Sequence, residues 1–179
     1  MNSTEFLNTA LDAGAAKAEI IESSGVVVSE SFRDICKSNA CGHYGRKWSC
    51  PPDIGEIGEL MKELKKYSYV LIYQTIYKLE DSFDIEGMEE AGRLHSEVGQ
   101  TIQKYLNLSA KTDFLHVSGS CCLCGKCAKL TGEPCRFPDK MLPSLSAYGI
   151  DVYRTCSNTS LNYINGQDTV TYFGMVFFR

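Results

Sequence analysis

Residues 69–79, YVLIYQTIYKL, are β-branched or aromatic almost without interruption. Such side chains favour extended backbone. Both faces are apolar at the start of the stretch, so it reads as a strand in the middle of a sheet. Residues 18–21 and 26–28 read as two short strands ahead of it, split by the turn signal Ser23-Ser24-Gly25. Residues 114–117 and 170–178 are further apolar strands, and 149–153 is extended. Asn165-Gly166 is a turn dipeptide, which predicts a hairpin over 161–178.

Helical periodicity fills the intervals. Phe6, Leu7, Ala10 and Leu11 mark one face of a helix over residues 3–16. Ile57, Leu60, Met61 and Leu64 do so over 56–66. Met88, Ala91, His95, Val98, Ile102 and Tyr105 form the stripe of a long helix over 85–108. A short helix is expected near 141–147. Residues 33–55 lose all periodicity and read as loop. The order predicts an α+β (or α/β) fold: one domain over 1–179, with a mixed β-sheet flanked by helices and two cysteine-rich metal-binding loops.

The chain has 179 residues, 44% apolar and 22% charged, which suits one soluble domain with a sizeable core. A net charge of −4 without a basic stripe argues against nucleic acid as partner. No apolar run is long enough for a membrane span, and the N-terminus has no signal-peptide pattern. A cytoplasmic location is expected. There, nine cysteines point to metal or redox chemistry rather than disulfides.

Five of those cysteines lie within residues 119–138, GSCCLCGKCAKLTGEPCRFP. Cys121, Cys124 and Cys127 are spaced C-x2-C-x2-C, and Cys135 follows at a distance. A thiolate every third residue can wrap one face of a [4Fe–4S] cube while a distant cysteine closes the fourth iron. Four-cysteine zinc is the alternative, although zinc more often takes two separated C-x2-C pairs. Cys122 is out of phase and reads as a spare thiol. Lys126 and Arg136 either offset the cluster's charge or are solvated.

A second group, Cys36, Cys41 and Cys50, is spaced C-x4-C-x8-C and ends in Cys50-Pro51-Pro52. Proline after a cluster cysteine is a ferredoxin feature. Three thiolates would leave one iron for a fourth ligand, for which Cys156, Cys122, His43 or an external group are candidates. Zinc and plain buried thiols are the other readings. Trp48 reads as core packing or as a wall beside a cluster. His95 reads as a satisfied core histidine. His116 reads as sheet packing, or as a donor to cluster sulfur. No phosphate-binding loop, catalytic triad signature or paired carboxylate is visible, and catalytic residues are not identified.

Taken with YGRKWSCPP (44–52), GSCCLCGKC (119–127) and GEPCRFPDKMLPSLSAYGIDV (132–152), the cysteines resemble the prokaryotic cysteine-rich "predicted metal-binding protein" family, a domain of unknown function. The resemblance spans about residues 36–152. It implies metal binding, most plausibly iron–sulfur, at Cys36, Cys41, Cys50, Cys121, Cys124, Cys127 and Cys135. The expected function is therefore one or two [4Fe–4S] clusters in electron transfer or redox chemistry with a partner protein. The alternatives are an enzyme with an open iron site for a small-molecule substrate, and a zinc-binding structural or interaction protein.

Overall fold

The computed structural model describes residues 3–106 and 113–179. Its elements run α1 (Ser3–Asp12), β1 (Lys17–Glu22), α2 (Ser31–Lys37), α3 (Ile57–Leu64), β2 (Tyr69–Lys78), α4 (Ile85–Tyr105), β3 (Phe114–Val117), α5 (Val152–Cys156) and β4 (Thr169–Phe178). Short 3-10 turns include Ala128–Thr131 and Leu145–Tyr148. The four strands form one sheet in the order β1-β2-β4-β3. The fold class is α+β.

β2 is central, as its two apolar faces require. Val70 and Ile72 point to one side with Phe173, Met175 and Phe177 of β4. There they meet Leu60 and Leu64 of α3 and the segment Leu145, Ala147, Tyr148 and Ile150. Leu71 and Tyr73 point to the other side with Val176 and Phe178, against Phe6 and Ala10 of α1 and Val98 and Ile102 of α4. The period of two on the strands and the 3.6 period on the helices thus build a core on each face of the sheet. Phe6 stacks on Phe178 at 4.4 Å between centroids, which docks α1. Asp84 caps α4 by accepting from the Gly87 N–H at 2.8 Å.

Several local expectations change. Every strand ladder is antiparallel, and the parallel component of the expected mixed sheet is a single bridge between Ser118 and Ser144. α4 leads to β3, an edge strand that among the described residues pairs with β4 alone. Val26–Val28 is not a strand: Val28 bridges Ile150, and the Val27 N–H donates to the Thr155 hydroxyl at 3.0 Å. The expected hairpin over 161–178 is absent, because β4 takes its partners from β2 and β3. The expected loop over 33–55 begins inside α2. The extended reading of 149–153 gives way at Val152, where the Asp151 carboxylate caps α5. Leu108 of the long-helix reading lies outside the described residues. No helix among the described residues is long and apolar enough to cross a membrane.

One position in the sheet tolerates only glycine. Gly174 of β4 lies opposite Tyr73 of β2, and the phenol ring crosses the strand at that point. A Cβ on Gly174 would sit 2.1 Å from the Tyr73 Cζ. A side chain there must displace the ring. G174A is expected to cost about 2–4 kcal/mol of stability. G58A is the control, in α3 with nothing within 4 Å of its new Cβ. It should be neutral or stabilising by up to about 1 kcal/mol. Urea unfolding of both variants checks the pair.

Candidate metal-binding cleft

The second cysteine loop leaves the sheet at the end of β3, and its base is held on both sides. The Ser118 N–H donates to the Pro143 carbonyl at 2.9 Å, and the Leu145 N–H donates to the Ser118 carbonyl at 2.8 Å. Three residues on, Cys121 is gripped by the first loop. Lys47 Nζ donates to its carbonyl at 2.9 Å, and its own N–H donates to the Ser49 hydroxyl at 3.4 Å. Ser49 is fully buried, and its carbonyl accepts from the Ser144 N–H at 3.0 Å. Farther along, Trp48 Nε1 donates to the Glu133 carbonyl at 3.1 Å. Lys129 pairs with Asp53, and its ammonium lies 4.3 Å from the Trp48 ring centroid. Arg136 donates to the Lys126 carbonyl at 2.9 Å, folding the loop onto itself. Trp48 is therefore a tie between the two loops rather than a core residue.

Beneath the loop lies a buried polar network. His116 Nδ1 is 2.9 Å from Gln103 Oε1, and its Nε2 is 2.9 Å from the Tyr73 hydroxyl. An amide oxygen only accepts, so Nδ1 carries the proton and Nε2 accepts from the phenol. His95 Nε2 is 3.0 Å from the Phe173 carbonyl and 3.1 Å from the Ser118 hydroxyl. Nε2 therefore carries the proton, and Nδ1 accepts from the Thr75 hydroxyl at 2.9 Å. His95 stacks between Tyr73 and Tyr172, at 5.6 and 5.7 Å. Every imidazole nitrogen is engaged. The satisfied-histidine reading of His95 is what the fold contains, and His116 faces Tyr73 and Gln103 instead of the cysteines.

Over this floor opens a cleft of about 1380 Å³. Cys41, Cys121, Cys122, Cys124, Cys127 and Cys135 line it, so the fold brings both loops to one place. Cys36 and Cys50 do not line it. Cys50 is buried beside Ser49, with Sγ 3.7 Å from the hydroxyl, and burial pushes its thiol up. Cys156 packs against the core on the α3 side of the sheet. His43 lines the cleft, its imidazole held below the usual range by burial and by Lys47.

The donor chemistry of this wall suits a thiolate-bound metal. Burial pushes the Cys121 thiol up, and the Leu123 N–H donates to it. Among the described residues, the N–H groups of Gly119, Ser120, Cys122, Cys124, Gly125, Lys126 and Cys127 have no protein hydrogen-bond acceptor. Such a loop offers soft donors and, beside them, the N–H groups that metal-bound sulfur accepts. Among the described residues, however, no three His, Cys, Asp or Glu side chains converge closely enough to hold a metal ion. Lys47, Ser49 and Glu133, which hold the loop, were not among the residues singled out from sequence. The only signal for the first two was their place beside Trp48 and Cys50.

Two outcomes follow from the clamp and the network. The loops are tied by hydrogen bonds and an ion pair, and the cores lie elsewhere. Chelation of any bound metal should therefore leave far-UV circular dichroism and cooperative unfolding intact, unlike a zinc finger. The network predicts a pH dependence. Burial holds His95 down to about 4 and His116 to about 3, against 6.5 when unfolded. The unfolded chain takes up protons first, so stability is full above about pH 6.5 and falls as pH drops toward those values. His43 adds in the same direction. Between pH 6 and 5, H116Q should flatten the slope by about 1.4 kcal/mol per pH unit, measured by denaturant unfolding.

No curated protein and no solved structure matches this chain. A family model does, over residues 19–178, and it takes in both cysteine loops and all four strands except the first two residues of β1. The chain belongs to the family described as predicted metal-binding protein, DUF2284.

Proposed function

We propose that the chain is an iron–sulfur protein whose [4Fe–4S] cluster is held by Cys121, Cys124, Cys127 and Cys135. One observation carries the reading: these four thiols line a single cleft, on a loop where, among the described residues, the N–H groups of Gly119, Ser120, Cys122, Cys124, Gly125, Lys126 and Cys127 have no protein acceptor. When bound, such a cluster passes single electrons. The protein's share is to hold the loop through Lys47, Ser49 and Trp48, and to place Arg136 beside Cys135. Positive charge there favours the reduced cluster and raises its potential. Electron transfer to a partner protein is the function that follows. Cys36, Cys41 and Cys50 are the candidate ligands of a second centre, with Cys41 already at the cleft. A reducing compartment such as the cytoplasm accords with this reading, since thiols there are kept available to bind metal.

The size of the cleft favours a second reading, an enzyme that works on a small molecule beside the cluster. Small-molecule sites span roughly 300–1,000 Å³. This cleft, at about 1380 Å³, leaves room for such a molecule beside a cluster.

Anaerobic purification with iron, sulfide and zinc analysis tests the proposal, together with electron paramagnetic resonance of the reduced protein. A brown protein with about four irons per chain, or about eight for two clusters, is expected. C124S should lose one cluster's iron, whereas C156S should keep it all. A colourless protein carrying stoichiometric zinc after anaerobic reconstitution overturns the iron reading. Unchanged iron in C124S overturns the ligand assignment.

A further inference from the structure

One side of the cleft has no evident part in holding a metal. It is formed by α4, through Met88, Gly92, His95 and Ser96, with Leu142 and Tyr172 beside them. His95 cannot ligate there, since both of its nitrogens are already bonded. Tyr172 is fixed as a flat wall: its hydroxyl donates to the Met88 carbonyl at 2.8 Å, and its ring stacks on His95. This wall is apolar and rigid, which suits an organic ligand better than an ion.

Two further observations concern charge and polarity. Arg46, Lys47 and Lys126 line the cleft, and Glu89 is the only carboxylate that does. Lys47 is engaged with the Cys121 carbonyl, but among the described residues Arg46 and Lys126 have no acidic partner. That excess of cations stands out on a chain of net charge −4. In addition, the Ser120 hydroxyl is buried on the same lining without a hydrogen-bond partner among the described residues. An orphaned hydroxyl costs about 1–3 kcal/mol unless something in the cleft satisfies it.

We propose that the cleft binds a small organic acid alongside the cysteine loop, with its carboxylate drawn to Arg46 and Lys126. Its apolar body lies against Met88, Leu142 and the Tyr172 ring. The inference goes beyond the iron reading and needs the cleft but not the identity of the metal.

The test uses the full chain as isolated under anaerobic conditions. 4-Phenylbutyrate and its neutral amide are titrated by isothermal calorimetry, with metal content measured on the same samples. The acid should bind at least tenfold more tightly than the amide. R46Q/K126Q changes two exposed side chains and should lose that tenfold while keeping its metal per chain. S96W, which adds bulk to the α4 wall, should abolish binding. No binding of the acid, equal binding of acid and amide, or full affinity in either variant overturns the proposal. So does metal loss in R46Q/K126Q with acid binding intact, since those charges would then serve the metal centre. Acid binding by a protein that carries zinc or no iron would leave this inference standing and remove the iron one.

Discussion

The passage of the Tyr73 ring across Gly174 is the constraint on which the metal-binding end of the molecule depends. A phenol rooted in β2 reaches over β4 to His116 on β3, and so ties three strands through one side chain. On α4, Gly99 approaches the same hydroxyl, and a Cβ there would lie 3.0 Å from it. Glycine on the strand and glycine on the helix leave a slot of one ring's thickness. Inside that slot a polar group must find partners. His116 and Ser118 supply them. Ser118 in turn is the last residue of the strand side before the cysteine loop begins. The rigidity of the core thus passes directly into the base of the loop.

Irregular backbone carrying several thiols has little reason to keep one shape. Here its shape comes from a neighbouring loop. Lys47, Trp48 and Ser49 are consecutive residues, and each makes a contact to the second loop. The stretch is a turn, closed by the Cys50 N–H donating to the Lys47 carbonyl at 3.1 Å, and its side chains fan outward, so it can hold Cys121 and Glu133 at the same time. The sheltered pair of Lys129 and Asp53 closes the far side. Metal binding is then a matter of turning thiols on a held scaffold, with protons expelled from thiols such as Cys121 that burial keeps neutral.

Much of the fold was legible in the chain. The apolar run 69–79 announced a central strand, and β2 is Tyr69–Lys78. The residues 114–117 were read as a strand and are one. Of the expected stripe Met88, Ala91, His95, Val98, Ile102 and Tyr105, the middle four are buried as periodicity required, whereas Tyr105 in the last turn is exposed. Errors gathered where pairing was non-local. Val26–Val28 has strong β propensity but meets α5 and the 150 region instead of a strand ladder. β4 was read with a nearby hairpin partner, yet its partners lie about a hundred and about sixty residues earlier in the chain. Propensity is local, whereas register is set by what the opposite strand buries.

The cysteine spacing, unaided, determined which residue types could bind metal and which thiols belong to one loop, since C-x2-C-x2-C is a statement about reach along the backbone. The apolar run 69–79 likewise determined that β2 would be buried on both faces. Only the tertiary structure decided which thiols share a space. It brought Cys41 to the cleft, kept Cys36 and Cys50 off its lining, and set Cys156 against the core on the α3 side of the sheet. It also gave the cleft a wall of α4 that no motif announces. The physical reason is that ligand spacing acts through the chain, but a cleft is made by residues far apart in sequence that meet only once both faces of the sheet are packed.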